Sequence, residues 1–405
     1  MNLGSRCGLR ILLIIGIVLG GFVGLTPRAG AAGPAGPGCF AETNRCIAGR
    51  FLAYWQANGG LAQFGYPLTG EQPELLEDGK TYTIQYFERA RFEAHPENAA
   101  PADVLLGQFG RRVLGGDYLG NAGAYQQAVS PVAPHPDARF FPETGHNLGG
   151  RFLAYWEQHG GLAQFGYPIT DERTDGLDDG GPTGRGNYTT QYFERARLEY
   201  HPEHAGTPYE VLLGQFGRRI LADNTRLAGP FRALYLTDEA VRLRFGRPID
   251  AAAQSPGALQ TFERGRMYYA TRVTPGYGGP GVIFALCGTA EHGQLLRGDL
   301  SGVFLNTWAE GQDPGGGPAP TPGLYNPQRG FGKVWREHTE VHDCLGYATT
   351  ATETAFPITV QWFAGGYFLL SDTPEGRFIY AIHTFSRCNG CPTEGDYERL
   401  AAPAP

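Results

Sequence analysis

Residues 59–67, GGLAQFGYP, are spelled again letter for letter at residues 160–168, 101 positions later. Such a duplication speaks of architecture before it speaks of chemistry, because self-similarity at a long period marks folds built from like units. The match runs outward in both directions. Phe40-x-Glu42-Thr43 returns as Phe141-x-Glu143-Thr144, and Arg50-Phe51-Leu52-Ala53-Tyr54-Trp55 returns at residues 151–156. Past Glu71 and Glu172 the offset grows to 106, where Gln85-Tyr86-Phe87-Glu88-Arg89-Ala90-Arg91 matches residues 191–197. The extra residues fall where LLEDG in the first copy faces GLDDGGPTGRG in the second. Length changes of this kind gather at solvated turns. A last block, residues 104–112, recurs at 211–219.

Each piece carries a local prediction. Phe51, Tyr54 and Trp55 stand at i, i+3 and i+4, the stripe of a short amphipathic helix. Gly59 and Gly60 end it, since glycine takes the left-handed conformation freely. Gly65-Tyr66-Pro67 reads as a turn into extended chain. Asp78-Gly79 is a hairpin signal, and alternation predicts one strand from Tyr82 to Ala94. Thr207-Pro208-Tyr209-Glu210 has the form of a capping box and predicts a helix running through Ile220. One unit is therefore helix, turn, hairpin, helix, and the chain as a whole is α+β, with internal repeats and disulfides.

The ends and the cysteines point to export. Arg6 and Arg10 precede an apolar run at residues 11–25, followed by Ala29-Gly30-Ala31. That is a signal-peptide pattern over residues 1–31, its run shorter than the roughly twenty residues of a spanning helix. The expected location is secreted or cell-surface, with an uncleaved anchor as the alternative. Beyond the leader stand Cys39, Cys46, Cys287, Cys344, Cys388 and Cys391, an even number that favours disulfides in an oxidising compartment. Cys39 with Cys46 is the favoured pair, Cys388-x-x-Cys391 reads as a local bridge, and the remaining pairing stays open. Without the three leader arginines the formal net charge falls from −7 to about −10, which disfavours nucleic acid and anionic surfaces.

Two weaker copies follow. Phe245-Gly246-Arg247-Pro248-Ile249 echoes the turn and precedes Gln260-Thr261-Phe262-Glu263-Arg264-Gly265-Arg266. Leu345-Gly346-Tyr347-Ala348 precedes Gln361-Trp362-Phe363-Ala364-Gly365-Gly366-Tyr367. The expected units are residues 40–125, 140–228, 229–275 and 276–405, the last holding a Gly/Pro linker near 311–323. These motifs resemble the LGFP repeat of bacterial cell-envelope proteins, which couples a Leu-Gly-Phe-Pro-type turn to a later Phe-x-x-Gly-x-aromatic strand. The resemblance places the turns at residues 64–67, 165–168, 245–248 and 345–348. Ala348 in place of proline, and the long spacing between units, depart from the pattern. The resemblance implies an exported, non-catalytic module that binds or organises the cell wall, with a cell-wall glycan or peptidoglycan-associated polymer as partner.

Several constellations compete for the binding role. Glu88, Arg89, Arg91 and Glu93 return as Glu194, Arg195, Arg197 and Glu199. Two carboxylates suit glycan cleavage, but a pair that appears twice and then decays reads better as structural ion pairs across a hairpin. Arg91, Arg197 and Arg266 form a repeated cationic row suited to wall carboxylates or phosphates, and Tyr66 and Tyr167, beside proline, are expected to be exposed for stacking on sugar rings. Trp55 and Trp156 read as core. His338 and His342 stand at i, i+4 without a third ligand, so no metal is expected. With no P-loop, nucleophile elbow or dinucleotide fingerprint, no cofactor is expected either. The rival reading is a wall hydrolase whose site lies in unrepeated sequence, around Glu291, His292, Asp299 and Asp313; the third is a ligand-free spacer.

Overall fold

A computed structural model describes residues 36–117, 122–175, 188–273, 279–289, 291–296, 303–313, 321–373, 376–384 and 396–403. The leader at residues 1–31, Asp299, Cys388, Cys391 and most of the Gly/Pro linker lie outside the described residues. Among the described residues no helix is long and apolar enough to cross a membrane.

The aromatic stripe forms helix α1 (Gly49–Ala57), with Phe51 fully buried against Phe92. Gly59 and Gly60 take φ of 96° and 55°, breaking the chain before a single-turn helix α2 (Gly60–Phe64). Strands β1 (Gln72–Leu75), β2 (Thr81–Tyr86), β3 (Arg91–Ala94) and β4 (Val104–Leu106) then form an antiparallel meander, followed by helix α3 (Phe109–Asp117). The second segment has the same order: α4 (Gly150–Gln158), α5 (Gly161–Phe165), the meander β5 (Arg173–Asp175), β6 (Tyr188–Tyr192), β7 (Arg197–Tyr200) and β8 (Val211–Leu213), and helix α6 (Phe216–Arg226).

Two local expectations fail here. The single strand expected over residues 82–94 is a hairpin, because Phe87 N–H donates to Ala90 O at 2.8 Å and closes a tight turn between β2 and β3. No glycine or proline marks the bend at Phe87-Glu88-Arg89-Ala90. The capping box at Thr207 also opens no helix. Thr207 Oγ1 accepts from Tyr209 N–H at 3.2 Å in a surface turn, and Val211-Leu212-Leu213 joins the sheet beside β7. An apolar triplet next to an open sheet edge is worth more to the ladder than to a helix start, so α6 begins only at Phe216.

The two segments meet along α3 and α6, burying Tyr86, Phe109 and Val113 with Tyr192, Phe216 and Ile220 in one cluster. The contact is reciprocal. Gly110 N–H donates to Glu194 O, and Arg218 N–H donates to Glu88 O, each at 3.0 Å. A Cβ at Gly110 would lie 1.7 Å from Phe193 O, and one at Gly217 would lie 1.9 Å from Phe87 O, so both helices can approach only through glycine.

Residues 253–401 hold an eight-stranded antiparallel barrel. Its strands are β9 (Ala253–Phe262), β10 (Gly265–Ala270), β11 (Val282–Gly288), β12 (His292–Leu295), β13 (Thr354–Phe363), β14 (Gly366–Thr373), β15 (Gly376–His383) and β16 (Asp396–Ala401). The neighbour order is β10-β9-β13-β14-β15-β16-β12-β11, and β10 pairs with β11 to close it. Closure removes the sheet edges. One face of the strands forms the interior cluster, with Tyr268, Phe284, Leu286, Tyr367 and Tyr380. The alternate residues face helices outside: α7 (Gly229–Thr237) and α8 (Glu239–Phe245) cover one side, α9 (Arg329–Glu337) and α10 (Thr339–Leu345) another. The boundary expected at residue 275 falls inside this barrel, since β10 and β11 pair across it.

Of the cysteines, Cys39 pairs with Cys46 as expected, and Cys287 on β11 pairs with Cys344 on α10, fastening that helix pair to the barrel wall.

Candidate functional site

Three turns carry a tyrosine held in one way. Tyr66 N–H donates to Glu88 Oε2 at 3.2 Å, Tyr167 N–H to Glu194 Oε2 at 3.2 Å, and Tyr347 N–H to Glu263 Oε2 at 2.8 Å. Below each turn an indole N–H donates to the preceding glycine carbonyl: Trp55 to Gly65, Trp156 to Gly166 and Trp335 to Gly346. Those glycines have φ of 75°, 75° and 72°, and a Cβ at Gly65 would lie 2.5 Å from the Glu88 carboxylate. The tyrosine rings stay half-exposed, edge-on to Phe40 at 5.5 Å, to Phe141 at 6.0 Å, and beside Trp335 at 5.3 Å. Trp156 is buried and Trp55 half-buried, matching their reading as core. Glu88 and Glu194 are thereby committed to the backbone of a turn and, across the seam, to Arg218 and Arg111.

The arginines do not form a surface row. Arg91 is 1% exposed and Arg197 2% exposed. Arg91 lies among Glu93 at 2.6 Å, Glu77 at 2.7 Å and Glu74 at 3.6 Å, and its guanidinium stacks on Phe109 at 5.2 Å. Arg197 pairs with Glu199 at 2.5 Å and sits over Phe216 at 5.4 Å. Arg266 is half-buried and donates to Tyr380 Oη at 2.7 Å. Alternation put these arginines on one strand face. For Arg91 and Arg197 that face is the one α3 and α6 cover, and the sequence signal was present in the FGRR block that recurs together with the strand. The ion pairs are structural but do not cross the hairpin as expected: Arg91 and Arg197 pair with Glu93 and Glu199 two residues along the same strand, while Glu88 and Glu194 reach arginines of the other segment.

Burial opposes ionisation of Glu77, but Arg91 and then Arg112 outweigh it and hold its pKa down at about 2. A carboxylate depressed in this way adds stability above its unfolded range, near pH 4.5, and that stability is lost as pH falls toward 2. His201, held by Glu199 at 3.4 Å and Glu203 at 2.9 Å, shifts the other way: hydrogen bonding to Glu199 raises its pKa.

Beside the Arg91 layer lies a cavity of about 520 Å³, between the first meander, α3 and the α7–α8 pair. Glu77, Tyr82, His95, Arg112, Tyr235 and Arg242 are among its walls. The Tyr82 and His95 rings pack at 4.3 Å, tilted by 37°, and the second segment repeats that pair as Tyr188 and His201 at 4.2 Å. Sequence reading missed this site, because its walls come from three segments far apart in the chain.

The carboxylates of the hydrolase reading are scattered. Glu291 is 68% exposed at its side chain and faces Arg399 at 3.7 Å, His292 is exposed, and Asp313 accepts from Arg329 N–H at 2.7 Å. His338 and His342 pack on Phe304 and Trp335. Among the described residues no three His, Cys, Asp or Glu side chains gather as metal ligands. The chain matches no protein-family model and no curated protein sequence.

Proposed function

We propose that this is an exported, non-catalytic protein of the cell surface, built from LGFP-like repeat units, that contacts cell-wall polymer through its turn tyrosines. The observation that carries the reading is the threefold recurrence of a half-exposed tyrosine, clamped by a glutamate at its N–H and an indole beneath its turn. A fixed ring with one free face stacks on a sugar at little entropic cost, and several such rings along one chain add up through multivalency. The disulfides support an oxidising destination.

The test is co-sedimentation of residues 32–405 with purified cell walls, beside the Tyr66→Ala, Tyr167→Ala, Tyr347→Ala triple variant. The expected result is saturable binding, weakened in the variant by about tenfold or more. Equal binding by a folded triple variant would remove the tyrosines from the reading. Release of soluble sugar by the intact protein would replace it with a hydrolase. Arginine variants are poor probes, since Arg91 and Arg197 anchor the core.

A further inference from the structure

The two N-terminal segments build one aromatic cradle and finish it differently. In the first, Phe40 lies edge-on to Trp55 at 5.5 Å and 63°; in the second, Phe141 lies edge-on to Trp156 at 5.6 Å and 71°. Arg139 closes the second cradle, its guanidinium 4.8 Å from the Phe141 ring and 5.2 Å from Trp156, with Glu157 at 3.9 Å. At the 101-residue offset these two charged residues become Gly38 and Gln56. Gly38 keeps the strand position, its carbonyl accepting from Ile47 N–H at 2.8 Å where Arg139 stands opposite Leu148. Its φ is 83°, and a Cβ would lie 2.5 Å from Ile47 O, so the backbone itself excludes a side chain there. Burial follows the difference. Phe141 is 4% exposed and Trp156 6%, whereas Phe40 and Trp55 are only partly buried.

Arg139 shows what the cradle accepts: a flat group whose edge carries the polar atoms. In the first segment charge is gone from both positions. Around the uncovered rings Glu42 accepts from Tyr66 Oη at 3.2 Å, and Arg45, opposite Phe40 in the ladder, donates to Leu68 O at 3.3 Å. One acid and one base favour neither sign of ligand, and a cation would lack the carboxylate that Arg139 finds in Glu157. A pyranose ring answers this description, since its C–H face lies on an aromatic ring and its hydroxyls reach a polar rim. We infer that Phe40 and Trp55 form a platform for one neutral sugar ring, and that Arg139 plugs the equivalent platform in the second segment. The inference rests on the wall-polymer reading for its kind of ligand. It adds that the two segments are unequal, the second offering only Tyr167.

Nuclear magnetic resonance of the isotope-labelled protein tests it, with chitotetraose and N-acetylarginine amide as probes. Sugar protons give Overhauser contacts to the Trp55 ring and none to Trp156. The Trp55 indole resonance moves saturably, and the capped arginine binds at least about tenfold more weakly. Phe40→Ala abolishes the Trp55 contacts, and Arg139→Ala creates matching ones at Trp156. The Arg139 side chain is 52% exposed, so its removal leaves a folded protein and decides the matter if Phe40→Ala fails to fold. Sugar contacts to Trp156 in the unsubstituted protein, none there in Arg139→Ala, or equal binding of the capped arginine would each overturn the inference. No contacts at Trp55 while cell walls still sediment the protein overturns it alone; loss of wall binding as well removes the proposed function with it.

Discussion

The N-terminal segments and the barrel use one device and wire it differently. In the first two segments the turn and the hairpin it covers belong to the same stretch of chain, with Tyr66 and Glu88 22 residues apart and Tyr167 and Glu194 27 apart. In the barrel they are exchanged. The turn after α10 covers the β9–β10 hairpin, with Tyr347 reaching back 84 residues to Glu263. The turn after α8 covers the β13–β14 hairpin, where Ala364 N–H donates to Arg247 O and Gly365 N–H to Phe245 O, each at 2.9 Å. The difference lies in strand length. β2 and β6 have 6 and 5 residues and stay in their own meanders, whereas β9 and β13 have 10 each. The added residues pair β9 with β13 from Ala253↔Val360 to Leu259↔Thr354, and that ladder carries each half to the other's turn. A local motif thus leaves its partner unspecified; the neighbouring ladder selects it.

The strongest way to break this comparison is at the aromatic beneath each turn. Phe64 and Phe245 are both buried, and truncation to alanine costs about 3–5 kcal/mol at either site. Native-state hydrogen exchange should show Phe64→Ala loosening β2 and β3 alone. Phe245→Ala should loosen β13 and β14, more than a hundred residues away, as much as its own α8. Protection changes confined to residues 229–270 would refute the exchange. Next come the disulfides. The Cys287–Cys344 bridge spans 57 residues and Cys39–Cys46 spans 7, so paired serine variants should lose about 4 and about 2 kcal/mol, read from denaturant midpoints. The reverse order would mean that the barrel holds α10 without its staple. The smallest effect sharpens the view of the turn itself. Glu88→Gln and Glu263→Gln each remove a charged acceptor from a tyrosine N–H, an expected loss of about 1 kcal/mol. Unchanged midpoints in both variants would show that the backbone pairings hold the turns unaided.

What the sequence made legible was short-range. The Phe51-Tyr54-Trp55 stripe, the Gly59-Gly60 break, the Asp78-Gly79 turn and the Cys39–Cys46 bridge each depend on a few adjacent residues, and each is present. The hairpin at Phe87–Ala90 was hidden because what bends the chain there is the 64–67 turn lying across it, and nothing in the four residues themselves. Arg91 looked like a surface cation because the acids that bury it, Glu74 and Glu77, lie on the far side of Asp78-Gly79. The barrel was hidden for the same reason on a larger scale: β9 and β13 find each other across about a hundred residues. The wall of the candidate site formed by Arg112 and Arg242 is a product of that assembly, and no window of sequence contains it.

The seam between α3 and α6 has a consequence of its own. Gly110 on one side meets Phe193 and Glu194, and Gly217 on the other meets Phe87 and Ala90 with its neighbour Arg218 bonded to Glu88, a closely similar contact made twice with the roles reversed. Self-complementary contact of this kind is the hallmark of a twofold homodimer. Here both partners are carried on one polypeptide, so their stoichiometry is fixed at one to one, and dilution cannot separate them.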